Sequence, residues 1–378
     1  MLKISNSIKT LSRDDIADNL FHYDYNTKHL LSLIRRGVAE DEPSFLSSYR
    51  SFEGEVYENF LYEKLLRYAE KNDEIEKFVL KGFHQNRHKA YANTLSISEK
   101  EQIVYRTKSR EISEFDAMFV TKNNELYFVE MTLVKSVLKL RRRLRKKKAL
   151  LEIIFPNYEI KALIILNEGA IGTKQFPSYC NVWFTEEFSA KEVLEYIRAK
   201  EKRKLEPKVK IRSKKMIEAH TLKLHPFRYY NTMSWITKTL RSHRKHILDM
   251  NFLMNEKVQR YQDLYNKFYI GYIGVDALKE TLQLKDEYKK DQRVIVAIEK
   301  KHSDEIVVTY YIQTTRKNLY LFSFDDDGKL LKEKKDPYGI TVTEVFHINK
   351  QMDEKYLLDL SNITTIKKLL KERYESGL

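Results

Sequence analysis

The chain is expected to fold as an α/β protein, a mixed sheet flanked by helices, followed by a basic helical region and a small C-terminal α+β module. Three observations carry this expectation. Helix-length segments alternate with short apolar runs across residues 51–200, which builds a sheet with helices on its faces. Gly and Pro number only 10 and 6 in 378 residues, too few for a turn-dense all-β architecture. Beyond residue 291 apolar residues fall at every second position, as in half-buried strands. The implied organisation is an N-terminal helical extension (1–50), an α/β core (51–200), a basic linker (201–215), a basic helical region (216–290) and a C-terminal α+β module (291–378).

The elements follow in chain order. Ser12-Arg13-Asp14-Asp15 has the make-up of a helix cap and first turn. Residues 51–71 lack Pro and are rich in Glu, Leu, Tyr and Lys, which predicts a long helix. Short β-like runs cover 102–106, 112–121 and 126–132. A second long helix is expected over 134–155, stopped by Pro156. Residues 160–166 and 181–184 read as apolar strands, and 189–200 returns to helix. Residues 198–215 hold ten Lys or Arg and Pro207, the composition of a solvated linker or a phosphate-facing strip. In the C-terminal module, 294–298, 306–312, 319–324 and 341–348 are expected strands. Asp325-Asp326-Asp327-Gly328 is a turn and 363–374 a closing helix.

Lys and Arg total 69 against 54 acids, a net charge of +15, which points to a polyanionic partner such as nucleic acid. Cys180 is the one cysteine, so neither an intrachain disulfide nor a cysteine zinc site can form, and its apolar surroundings fit a small core thiol. No segment approaches the roughly 18 uncharged apolar residues of a spanning helix. The opening residues also lack the apolar stretch of a signal peptide. The expectation is a cytoplasmic protein with no membrane contact.

The informative stretch is 113–132. Two alternating runs flank Lys122-Asn123-Asn124, an antiparallel hairpin in which Asn124 can take the left-handed conformation. A three-residue loop pairs Thr121 with Glu125, Asp116 with Glu130 and Glu114 with Thr132. Asp116, Met118 and Val120 then share a face with Leu126, Phe128 and Glu130. Opposed residues on one face have Cβ atoms about 4.5–5.5 Å apart, where like charges repel. Two opposed acids need either a fully solvated hairpin end or a bridging cation, and Met118 and Phe128 on the same face favour the cation. Mg²⁺ suits them, being held by one or two carboxylates plus water and phosphate.

These residues resemble the PD-(D/E)XK nuclease superfamily over roughly residues 50–190. In the resemblance, Asp116 in Glu-Phe-Asp-Ala-Met-Phe-Val matches the metal-binding Asp and Glu130 the acid of the third strand. Glu58 matches the acid of the first core helix, with Glu55 as fallback. The implied cofactor is Mg²⁺ or Mn²⁺, and the implied activity is endonucleolytic hydrolysis of phosphodiester bonds. One position departs from the pattern, since Thr132 stands where the superfamily has lysine. Similar proteins, including cap-snatching viral endonucleases, draw the lysine from the next helix instead. Lys139 and then Lys135 are the candidates here, with Lys146 further along, and spacing leaves the choice open.

Nucleic-acid contact is expected from the run of residues 139–148, where eight of ten positions are basic. Its candidates are Arg141, Arg142, Arg143, Arg145, Lys146 and Lys147, joined by Arg241 and Arg244 in the basic region. His243-x-x-His246 lacks partnering carboxylates and lies among cations, which disfavours a metal there. Tyr229, Tyr230 and Trp235 lie among basic residues and suit either base stacking or a helical core. The leading expectation is a metal-dependent nuclease acting on DNA ahead of RNA, with a homodimer as the candidate assembly. The alternatives are a nucleic-acid-binding protein whose nuclease-like core is inactive and an assembly factor that uses its basic surface for protein contacts.

Overall fold

The computed structural model describes residues 17–86, 91–108, 110–138, 140–199 and 208–229, residues 260, 261, 263 and 264, and six strands between 267 and 346. The chain divides into two compact units, Met1–Phe227 and Arg228–Leu378. The first is a mixed α/β unit. Its elements are α1 (Lys28–Arg35), α2 (Pro43–Lys71), β1 (Ile75–Leu80), β2 (Thr94–Ile97), β3 (Ile103–Arg106), β4 (Glu111–Phe115) and β5 (Ala117–Thr121). They continue with β6 (Glu125–Thr132), α3 (Leu140–Ile154), β7 (Glu159–Asn167), β8 (Cys180–Thr185), α4 (Lys191–Arg198) and β9 (Met216–Glu218).

A six-stranded sheet runs in the order β8-β7-β6-β5-β1-β9. β6, β7 and β8 pair in parallel, β5 joins β6 and β1 antiparallel, and β9 joins β1 in parallel. The nearly uninterrupted apolar run of β7 fits a strand covered on both faces. One face carries α2. Ala117, Phe119, Tyr127, Val129 and Met131 pack there with Val56, Phe60, Leu61 and Leu65 in one cluster. The alternate residues of the same strands belong to the other face, toward α3, where Phe115 meets Phe128 edge-on at 6.2 Å between centroids.

The hairpin register matches the expectation. Ala117 faces Val129, Met118 Phe128, Phe119 Tyr127 and Val120 Leu126. Asn124 is left-handed at φ 62° and its amide closes the turn onto Thr121 O. The pairing stops at Ala117, because Asp116 forms a bend and β4 leaves for a separate three-stranded sheet, β2-β3-β4. Glu114 therefore faces Val104 of β3, and the expected partnership of Glu114 with Thr132 is corrected.

Other boundaries move for local reasons. α2 starts at Pro43, a residue suited to the first helical turn, so a boundary at residue 50 falls inside one helix. Leu20, Tyr23, Leu30 and Leu33 ahead of it join the α2 cluster. α3 begins only at Leu140. Before it, the backbone of 135–137 is engaged by Ile171, whose amide donates to Lys135 O and whose carbonyl accepts from Val137 N. The expected solvated linker is packed where it is described. Ile211 is buried, its amide donates to His84 Nδ1 at 3.3 Å, and Lys215 Nζ reaches Asp73 at 3.2 Å. The Ile211–His84 contact joins a buried network in which Glu63 accepts from Asn19 and Tyr23 and pairs with His84 Nε2 at 2.6 Å.

The second unit holds one sheet in the order β14-β13-β12-β11-β10-β15. Its strands are β10 (Lys267–Gly274), β11 (Arg293–Lys300), β12 (Ile306–Thr315), β13 (Asn318–Phe324), β14 (Leu330–Asp336) and β15 (Val345–Phe346). Neighbours pair antiparallel except β15, which pairs with β10 in parallel. The helical expectation for 216–290 is corrected at β9 and β10. In Lys-Phe-Tyr-Ile-Gly-Tyr-Ile-Gly, aromatic and β-branched residues favour the strand. The turn at 325–328 and the closing helix at 363–374 lie outside the described residues. Among the described residues no helix is long and apolar enough to cross a membrane.

Candidate functional site

The site forms at the end of the β5–β6 hairpin, where the chain crosses from the small sheet to the large one. Asp116 occupies the bend between β4 and β5 and is buried. Its Oδ2 accepts the amide proton of Met131 at 2.7 Å, which ties the carboxylate to β6 directly after Glu130. Glu130 is fully buried and forms ion pairs with Lys147 and with Arg143, both on α3. The Lys147 ammonium also lies 5.4 Å over the Phe115 ring. Four residues separate Arg143 from Lys147, which puts them on one helical face.

Glu58 comes from α2. Burial first, and the nearby Asp116 carboxylate second, push its carboxyl up to about 8, against the lowering effect of Lys81 and Lys147. The fallback acid is engaged elsewhere, since Glu55 accepts the Asn26 amide at 2.9 Å. Lys81, directly after β1, is buried. Its ammonium donates to Gln102 Oε1 at 2.9 Å and lies 4.9 Å over the Tyr62 ring. Burial pulls Lys81 below the ordinary lysine range, while Glu58, Asp116 and Glu114 act to raise it. Lys147 is pulled down by burial too, with Asp116, Glu114 and Glu58 opposing.

The structure thus brings Glu58, Asp116 and Glu130 into one neighbourhood with Glu114, and sets two buried lysines among them. Of the expected lysines, Lys135 is exposed at a bend and Lys146 half-buried on α3, while Lys139 lies outside the described residues. Lys147, assigned from sequence to nucleic-acid contact, is the α3 lysine that faces the acids. Its signal was legible as a stripe, because Leu144, Lys147, Leu151 and Ile154 follow helical spacing and all are buried. A lysine on the apolar stripe of a basic helix must find an anion. Lys81 carries no comparable pattern.

The remaining expected contacts divide. Arg141 donates to Gln175 at 3.3 Å, Arg142 is exposed and Arg145 half-buried. Arg241 and Arg244 lie outside the described residues. Cys180 is half-buried at the start of β8 rather than in the core, and burial still pushes its thiol up to about 12, which disfavours a nucleophile.

A divalent ion can be tested against these donors. Among the described residues no three His, Cys, Asp or Glu side chains cluster tightly enough to hold an ion alone. Glu130 is committed to Lys147 and Arg143. Glu58 and Asp116 remain, an all-oxygen pair of the kind that holds Mg²⁺ when water and phosphate complete the shell. No family model, no curated protein and no solved structure matches this chain.

Proposed function

We propose that the protein is a divalent-metal-dependent endonuclease hydrolysing phosphodiester bonds, in DNA ahead of RNA, on a core of the PD-(D/E)XK kind. The observation that carries the reading is the convergence of Glu58, Asp116 and Lys147 beside Glu130, at the end of a hairpin and under a basic helix. Bound Mg²⁺ or Mn²⁺ would offset charge developing on phosphate oxygens and acidify a water. Glu58 and Asp116 would hold it. The Met131 amide fixes the orientation of the Asp116 carboxylate. Glu130 fixes Lys147, whose ammonium meets the charge of the attacked phosphate in place of the strand lysine that Thr132 replaces. Lys81 adds a second buried cation near the acids and limits their mutual repulsion. The exposed guanidinium groups of α3 supply phosphate contacts.

One observation favours a second reading, a nucleic-acid-binding protein with an inactive core. Two cations already clasp Glu130, so one of the three acids is satisfied without metal. Incubation with supercoiled plasmid, single-stranded DNA and RNA separates the two readings. The nuclease reading expects cleavage with Mg²⁺ or Mn²⁺ and none in EDTA. Binding without cleavage under either ion hands the site to the second reading.

A further inference from the structure

We infer that the groove beside the acid cluster takes an unpaired nucleotide of a single-stranded nucleic acid. The groove has a volume of about 760 Å³ and is lined by Phe83, Tyr91, Ser96, Glu99, Lys208 and Lys210, among others. That volume lies within the roughly 300–1,000 Å³ of small-ligand sites. Tyr91 keeps 62% of its surface exposed, a large ring turned to solvent. Phe83 supports the Lys208 ammonium 5.5 Å from its ring centroid. The Ser96 hydroxyl is enclosed in the wall with no hydrogen-bond partner.

The mixture of these groups decides the ligand class. Aromatic rings offer a base a stacking surface regardless of sequence. Lys208 and Lys210, both exposed, supply charge for a phosphate. Acids and hydroxyls accept from the exocyclic amino groups on base edges. The Watson–Crick edges and the stacked base faces are closed off in a duplex and open in a single strand. Glu99 and Glu101 in the same lining would also repel the phosphates of a second strand.

Position links the groove to the acids. Gly82 and Glu101 line it and are the chain neighbours of Lys81 and Gln102, which are hydrogen-bonded to each other. Lys81 faces Glu58 and Asp116. A strand with a phosphodiester at the acids and running past Lys81 would approach the groove. That link rests on the nuclease reading, whereas the groove's ligand class does not.

The test uses the full chain in EDTA and fluorescence anisotropy with a labelled mixed-sequence single strand and a duplex of equal length. Tyr91→Ala is expected to weaken single-strand binding about tenfold, in line with the loss of one stacked base, and to leave the duplex unchanged. Lys208→Ala with Lys210→Ala is expected to reduce the log–log salt slope for the single strand by about 1.4. Both variants keep wild-type circular dichroism, because the three side chains are exposed. Single-strand affinity and slope unchanged in both variants would overturn the groove assignment, even if the Asp116→Asn variant loses cleavage and so supports the nuclease reading. Tyr91-dependent binding by a wild-type protein that cuts nothing would keep the groove and discard the nuclease.

Discussion

Lys147 and Glu130 form an ion pair inside the α/β unit, the lysine side chain 7% exposed and the acid 0%. The lysine comes from α3 and the acid from β6, so the pair couples the basic helix to the strand behind Asp116. Arg143 reaches the same carboxylate from a side chain that is half exposed. A buried pair of this kind adds little over apolar residues, but removing one partner strands a charge.

Lys147→Ala and Glu130→Ala are therefore each expected to lower stability by about 3–5 kcal/mol. The double change Lys147→Met with Glu130→Leu is expected to recover most of that loss. Urea denaturation followed by circular dichroism measures all three. From sequence, two opposed acids imply that losing Glu130 relieves repulsion, and the ion pair reverses that sign. Single variants as stable as wild type would mean that the pair is solvated.

Glu58 gives a pH dependence of definite direction. Its carboxyl is raised in the folded chain to about 8, whereas an unfolded glutamate titrates near 4.3. Between those values the folded state binds more proton than the unfolded state, so stability falls as pH rises through that window. Glu58→Gln removes this slope. Ionised Glu58 is also the form that binds metal, so apparent Mg²⁺ affinity is expected to rise from pH 6 to 8 in wild type. It stays flat in Glu58→Gln. Calorimetric titration across that range reads the difference, and equal pH profiles in the two proteins would remove Glu58 from the site.

Arg142 is exposed on α3, next in sequence to the Arg143 that pairs with Glu130. Arg142→Ala is expected to weaken duplex binding and reduce its log–log salt slope by about 0.9. Arg143→Ala acts differently, since it also loosens Glu130. Salt titrations of binding compare them, and an unchanged slope for Arg142→Ala would turn this face of α3 away from the substrate.

The central hairpin was legible in the sequence because period-two alternation and a left-handed Asn fix its register. Its lower end was not. Strand-like composition continues through 112–121, yet the bend at Asp116 diverts β4 to another sheet, a tertiary choice that no local pattern records. α3 was extended too far toward its N-terminus, because the pairing of 135–137 with Ile171 lies more than thirty residues away in sequence. The acids were found from their register and helical placement. The lysine was sought by proximity to Glu130 in sequence, whereas the apolar stripe through Leu144 and Leu151 marks Lys147. β10 was hidden by the basic composition around it.

Single-turnover cleavage with saturating Mg²⁺ tests the central claim most directly, comparing wild type with Asp116→Asn and Lys147→Arg. Asp116→Asn keeps the side-chain size while removing the charge that holds metal, and Lys147→Arg keeps a cation opposite Glu130. The account predicts a loss of at least about a hundredfold in rate for Asp116→Asn, the scale of one lost charge-stabilising group. It predicts a smaller but clear loss for Lys147→Arg, with nucleic-acid affinity in EDTA unchanged for both. Cleavage at the wild-type rate by Asp116→Asn would contradict it.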